Sequence, residues 1–286
     1  MSERVTKAIH YAILTIIAII FVLPLVWLIL AAFDLNASQA LKWPSQWTLS
    51  NFTSVLTNTD NLRGFGVGLT ISLIQSLIVV LVSGLAAYPL SRYRLTFKKQ
   101  FMYVILFMTA LPMIAVIVPV YKMFLNIGLL DSIPGVILYL TASALPYGIW
   151  LMKNFMDGVP VELEEACFVD GGGPWRNLIS IYVPLAKPMV ATVALFTMVM
   201  YWNEFFQGMV LSTRQSSYPL QTYIQQMVVT LDYSTMNVDQ IAQAMKLNNL
   251  SLDSAKIFIA MIPVLIVYPF LQRYFVEGIT LGSVKG

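Results

Sequence analysis

Six stretches of this 286-residue chain are long and apolar enough to cross a bilayer, and they leave it little choice of fold. They lie at about 9–33, 69–90, 101–125, 133–152, 188–211 and 257–276. A hydrocarbon layer about 30 Å thick takes about 20 residues as helix. No water reaches the backbone there, so a single span must close its own hydrogen bonds and be helical. Hydrophobic residues are 58% of the chain and charged ones 11%, against about 25% charged in soluble domains. Lipid is therefore the solvent for much of the surface. The expected class is an all-α integral membrane protein with six transmembrane helices.

Basic residues orient the chain. With the N-terminus in the cytoplasm, eleven Lys and Arg fall inside and six outside. The segment from Arg92 to Lys99 holds four of the inner ones and no acid. The expectation is that both termini are cytoplasmic. The first segment has basic residues before it, as a secretory leader would. Its apolar run is too long for one and no small-x-small site ends it, so it is expected to stay as a span kinked at Pro24.

Two outer stretches, 34–68 and 212–255, are longer than turns; the second is predicted to hold a short helix at 238–247. Neither could bury a core of its own, so residues 1–286 are expected to form one membrane domain. Catalysis and metal binding have no visible seat. The only cysteine is Cys167 and the only histidine His10, and there is no phosphate-cradling Gly-x-x-x-x-Gly-Lys-Ser/Thr run. A net charge of +3, widely spread, gives no nucleic-acid footprint.

The cytoplasmic loop 156–187 carries more chemistry. Helix-forming residues at 161–168 follow Pro160, which suits a helix start. Asp170-Gly171-Gly172-Gly173-Pro174 must break that helix, because glycine permits positive φ and proline refuses an interior position. A second short helix is predicted at 175–181, with Pro184 leading into the fifth span. The loop reads as a helix–turn–helix on the membrane surface, offering Glu162, Glu164 and Glu165 to a partner.

Its spacing is specific. Glu165-Ala166-Cys167, three residues, Gly171, nine residues and Ile181-Tyr182-Val183-Pro184 resemble the loop by which permease subunits of ATP-binding-cassette importers dock on their ATPases. Cys167 stands for a usual Ala and Val183 for a usual Leu, and both swaps keep a small or aliphatic side chain. The tail through Gly282, Ser283 and Lys285 looks like that of maltose-type permeases, where it reaches toward the ATPase pair. Read without the resemblance it is a frayed glycine-rich end. Asn51-Phe52 and Arg92-Tyr93 fit the same subgroup.

The resemblance implies a type I ABC importer permease fold in the cell membrane of a prokaryote. It implies coupling through Glu164, Glu165, Ala166, Cys167, Asp170, Gly171, Ile181 and Pro184. It also implies a second, different permease as partner, two ATPase subunits that hold ATP and Mg²⁺, and an extracytoplasmic sugar-binding protein. This chain itself would bind no cofactor.

Tyr201, Asn203, Glu204 and Gln207 place polar groups in the outer half of the fifth segment. A carboxylate in hydrocarbon costs at least about 2.5 kcal/mol, so such a residue has a job. Two stand open: lining a sugar pathway, or joining this helix to a neighbouring subunit. Ser72, Gln75, Ser76 and Ser83 in the second segment are expected to bond helix to helix. Met108, Met113 and Met123 read as apolar filler, and Lys122 and Asp131 as turn residues without a special role. An ion-driven transporter is the main alternative, but it would usually show internal repeats, and the halves are not alike. An intramembrane hydrolase lacks a Gly-x-Ser-x-Gly and paired carboxylates, and a scaffold would not need the docking loop.

Overall fold

Local chemistry sets where each helix stops. The computed structural model describes residues 3–214, 217–229 and 250–283. Thirteen helices are named here, among the described residues, in chain order. They begin with α1 Glu3–Phe33, α2 Ser50–Thr57, α3 Thr59–Arg92, α4 Lys98–Thr109, α5 Met113–Ile127 and α6 Ile133–Asp157. Then come α7 Glu162–Val169, α8 Pro174–Asn177, α9 Val183–Leu185, α10 Lys187–Trp202, α11 Phe206–Leu211, α12 Leu220–Val229 and α13 Leu250–Ser283. Among the described residues four helices are each long and apolar enough to cross a membrane, or up to six spans if two bent pairs each count as one: α4 with α5, and the limb Pro174–Leu185 with α10, which meet at 71°. The helix predicted at 238–247 lies outside the described residues.

Two expected spans are not straight helices. The third divides into α4 and α5, which meet at 94°. Pro112 is the cause: it lacks an N–H, and it pushes Leu111 out of the helical region. Pro112 itself is extended, at φ −66° and ψ 122°. The fifth divides as well, since α10 ends at Trp202 and α11 begins at Phe206. The helical spacing expected for Tyr201, Asn203, Glu204 and Gln207 therefore fails across residues 203–205. By contrast α1 runs unbroken through Pro24, because a proline in a membrane helix can be tolerated when freed carbonyls find other donors.

The chain packs as two compact units. One comprises Met1–Arg63 and Ile224–Ile262, the other Gly64–Tyr223 and Pro263–Gly286. In the first unit, Asn51 Nδ2 donates to the carbonyls of Ala32 and Asp34, at 3.0 Å each, and so caps the end of α1. Phe33, Phe52 and Phe258 meet in tilted and edge-on contacts, and Phe52 and Phe258 pack against Ala32, Val55 and Ala255. Asp34 is held below the usual carboxylate range: burial opposes ionisation, but Asn36 N–H, Ser45 Oγ and backbone donors outweigh it.

In the second unit, α3 hydrogen-bonds to α10. Gln75 Nε2 donates to Thr197 O and Ser76 Oγ to Ala194 O, both at 3.0 Å. Those two are the helix-to-helix bonds expected; Ser72 and Ser83 bond within their own helix. Asp131 does more than a turn residue needs. At φ 58° it accepts from Thr213 Oγ1 and from the amides of Thr213 and Arg214, so it ties the α5–α6 turn to the segment after α11.

That staple is pH-sensitive. Burial raises the Asp131 pKa, yet the Thr213 and Arg214 donors prevail and hold it below 3.8. A carboxylate depressed by folding stabilises above its unfolded pKa, near 4, and loses that contribution as pH falls through the folded value. Asp131→Asn is expected to cost about 1.5 kcal/mol at neutral pH, the low end for hydrogen bonds to a charge, because the site is half-exposed. Detergent-solubilised protein melted at pH 7 and below pH 4 checks this: the variant must lose part of the acid-side fall in melting temperature.

Candidate functional site

The loop after α6 is a helical elbow, and its local sequence explains its shape. Glu162, Glu164 and Glu165 fill the first turn of α7, where acidic groups complement the helix dipole. The helix stops at Asp170, and Gly171 follows at φ 77°, a conformation that suits glycine. Gly172 then passes so close to Cys167 that a Cβ there would lie 2.5 Å from Sγ. The Gly172 amide donates to Cys167 O at 2.8 Å and closes the turn. Cys167 thus backs the turn, half-buried.

The return limb begins with Pro174 at the first turn of α8. It passes through a π-helical turn, Leu178–Tyr182, before α9. Leu178 and Tyr182 both point inward, with Tyr182 1% exposed. Ile181 is half-buried and Pro184 exposed.

The three glutamates divide. Glu162 and Glu165 face solvent as expected, but Glu164 is turned inward and 6% exposed. This corrects the expectation that all three are open to a partner. Glu164 Oε2 lies 3.3 Å from Arg92 Nε, and each side chain is 8% exposed. Tyr88 Oη donates to Oε1 at 3.0 Å and Tyr182 Oη to Oε2 at 3.3 Å. Asn177 Nδ2 donates to Tyr88 Oη at 3.1 Å. Both carboxylate oxygens are therefore satisfied, the condition under which a buried charge is tolerable.

Arg92 is the centre of this cluster. Its Nε also donates to Tyr182 Oη. Its Nη2 donates to the carbonyls of Met156 at 2.9 Å and Val159 at 2.6 Å, the first of these in the last turn of α6. A guanidinium suits a helix C-terminus, where carbonyls lack partners and the dipole is negative. The Tyr182 ring lies under the guanidinium, 5.0 Å from Cζ. One side chain thus joins the end of α3 to the end of α6, to α7 and to the π-turn.

From sequence, Arg92 counted only as an inside charge and a subgroup match. Tyr88, Asn177 and Tyr182 were assigned no role. Tyr88 and Glu164 are 76 residues apart, and no local spacing links such a pair.

The elbow's outer face has the opposite character. Val169 is 87% exposed, with Trp175, Ile179, Leu163 and Phe168 also open. Glu165 and Ala166 are exposed on the same short helix. One carboxylate, Glu164, is locked inside, while large apolar side chains are left outside beside the exposed Glu162 and Glu165, more apolar surface than a merely solvated elbow would show.

The residues of the fifth segment separate. Tyr201 lines a cavity of about 480 Å³ with Tyr139, Tyr147, Phe196, Thr197 and Met200. Met108 and Met113, read as filler, also line it. Asn203, Glu204 and Gln207 do not. Asn203 Nδ2 bonds Val199 O at 2.8 Å, and Glu204 Oε1 accepts from Gln207 N at 2.8 Å. Glu204 thus serves an amide at the start of α11, and Asn203 adds a side-chain bond to the carbonyl that its own amide already reaches at the end of α10. The buried Glu204 Oε2 and Gln207 Oε1 have no hydrogen-bond partner among the described residues. Gly282 and Ser283 fall in the last turn of α13, and Lys285 lies outside the described residues.

Known proteins share this architecture. The permease protein NgcG of the diacetylchitobiose uptake system of Streptomyces coelicolor is 28% identical over 99% of this chain and 91% of its own length. LplC of Bacillus subtilis is 31% identical, over 93% of this chain and 90% of its own. A bacterial ABC transporter involved in the import of the acidic polysaccharide alginate superposes with a TM-score of 0.78, at 26% identity, over 96% of this chain and 99% of that one. Residues 80–281, which hold the elbow and the helices around it, match the profile of the binding-protein-dependent transport system inner membrane component. An ion-driven carrier finds no support in these likenesses; this multi-pass membrane protein belongs to the family of inner membrane permease components of binding-protein-dependent ABC transport systems.

Proposed function

We propose that this chain is one of two different permease subunits of an ATP-driven oligosaccharide importer, and that the elbow at 156–187 docks on an ATPase subunit. The observation that carries the docking is the split of Glu164 from Glu165: one carboxylate is locked inside while its neighbour stands among exposed Val169, Phe168 and Trp175. Small, exposed Ala166 lets a partner's backbone approach α7 closely, while Cys167 backs the turn from within. Asp170 and Gly171 shape the turn, and Ile181 and Pro184 shape the return limb. Two ATPase subunits hold ATP and Mg²⁺, and this chain binds neither. A solute-binding protein delivers cargo to the outer loops.

Sugar is the proposed cargo because NgcG and the alginate transporter are both named for saccharide uptake. Tyr201 borders the pathway with the aromatic wall of the cavity, and Asn203, Glu204 and Gln207 shape its outer end. In this reading the chain makes six crossings, the third and fifth of them divided, as one membrane domain with both termini in the cytoplasm. Gly282, Ser283 and Lys285 reach toward the ATPase pair. Nucleotide moves the spans only if the ATP-bound and ATP-free pairs hold α7 differently, since a ligand shifts an equilibrium by differential affinity alone.

A photo-crosslinking residue placed at 165, in membranes of the native host, tests the docking. Capture of a nucleotide-binding subunit is expected. Capture of no cytosolic protein, together with uptake that survives scrambling of residues 162–169, sinks the reading.

A further inference from the structure

We propose that Arg92 and Glu164 are positioning residues that transmit ATPase motion: their buried ion pair is the joint through which the elbow drives α3. This rests on the docking reading above and specifies how a docked elbow acts on the spans.

A buried ion pair is poor material for stability alone, because desolvating two charges offsets most of their attraction. It is good material for a joint. Apolar contacts are non-directional and allow sliding, whereas a guanidinium fork fixes both distance and angle. Here the fork holds Glu164 of α7, Tyr182 of the return limb and the Met156 and Val159 carbonyls at once. Both limbs of the elbow are therefore tied to the last residue of α3. A push on α7 meets a fixed linkage at Arg92.

From there α3 is coupled onward. Gln75 and Ser76 hydrogen-bond the backbone of α10 at Thr197 and Ala194. Thr197 also donates to Ser76 Oγ at 3.1 Å. Gly148 of α6 sits so near α3 that a Cβ would lie 3.1 Å from Val79 Cγ1. Thr197 and Tyr201 of α10 and Tyr147 of α6 are walls of the 480 Å³ cavity. An unbroken physical chain thus runs from the elbow, through Arg92 and α3, to the cavity wall.

The test uses the assembled transporter with its own ATPase subunits. In a Cys167→Ser background, Ser143→Cys reports access to the cavity wall through its rate of N-ethylmaleimide labelling. ATP with vanadate, compared with the nucleotide-free state, is expected to change that rate at least about fivefold, the low end of ordinary coupling. In Arg92→Met/Glu164→Leu the change is expected to fall below about twofold, while cross-linking from position 165 is kept. Arg92→Lys keeps the charge but not the fork and is expected to give an intermediate change. An unaltered response in the apolar pair shows a fold-stabilising role only and overturns the proposal. If the apolar pair also loses docking, Arg92→Lys decides, and a full response there overturns the proposal. Loss of cross-linking in the parent protein defeats the docking reading instead.

Discussion

Glu164→Ala is expected to destabilise the protein by about 3–5 kcal/mol, the usual cost of stranding one member of a buried ion pair. Arg92 would keep its charge at 8% exposure without its carboxylate, and the hydroxyls of Tyr88 and Tyr182 would lose their acceptor. The elbow is then expected to come away from the end of α3. Glu165→Ala, one residue on, leaves the fold alone because that side chain touches solvent. Membrane yield and melting temperature in detergent separate the two: the first variant must fall sharply and the second must match the parent. Arg92→Met/Glu164→Leu is expected to recover much of the lost stability, since apolar replacement of a whole buried pair is often neutral or better. Equal melting of Glu164→Ala and Glu165→Ala refutes the account of the buried pair.

The second large effect concerns the outer face. Val169→Asp together with Trp175→Ser is expected to weaken capture of the ATPase subunit on the order of 30-fold, the equivalent of about 2 kcal/mol at an interface anchor. Both side chains are mostly exposed in the isolated chain, Val169 at 87% and Trp175 at 68%. Their loss therefore leaves the melting temperature near that of the parent, as surface substitutions usually do. Copurification with the ATPase and sugar uptake are the two readouts. Full uptake by this folded double variant would remove the docking face from the mechanism.

These predictions turn on facts of different legibility. The turn at Gly171 was plain in the sequence, because a Gly-Gly-Gly-Pro run leaves a helix no way to continue. The elbow's spacing carried a resemblance to importer permeases, on which the docking proposal draws. Glu164 and Glu165 looked alike in one dimension, and only the fold turns one inward. Arg92 could be counted as an inside charge but could not be matched to a carboxylate more than seventy residues away. Asp131 was passed over for the same reason, since its partners Thr213 and Arg214 lie beyond three further helices and the elbow.

The breaks in the third and fifth segments show the limit from another side. Hydropathy sees the length of an apolar run but not its direction. Pro112 was visible, yet Pro24 was equally visible and leaves α1 unbroken. Whether a proline bends or divides a helix depends on which neighbours supply the missing hydrogen bonds, and that is settled by packing.

The sequence alone determined that the chain is helical and lives in lipid. Both follow from local quantities: the length of each apolar run and the need of every backbone group for a partner. It also marked the elbow, whose turn chemistry is confined to neighbouring residues. Tertiary structure alone decided which glutamate is anchor and which is exposed, where Arg92 binds, and which tyrosines face the cavity. Those depend on side chains brought together from distant helices, and the cost of burying an unpaired charge admits only arrangements in which they meet.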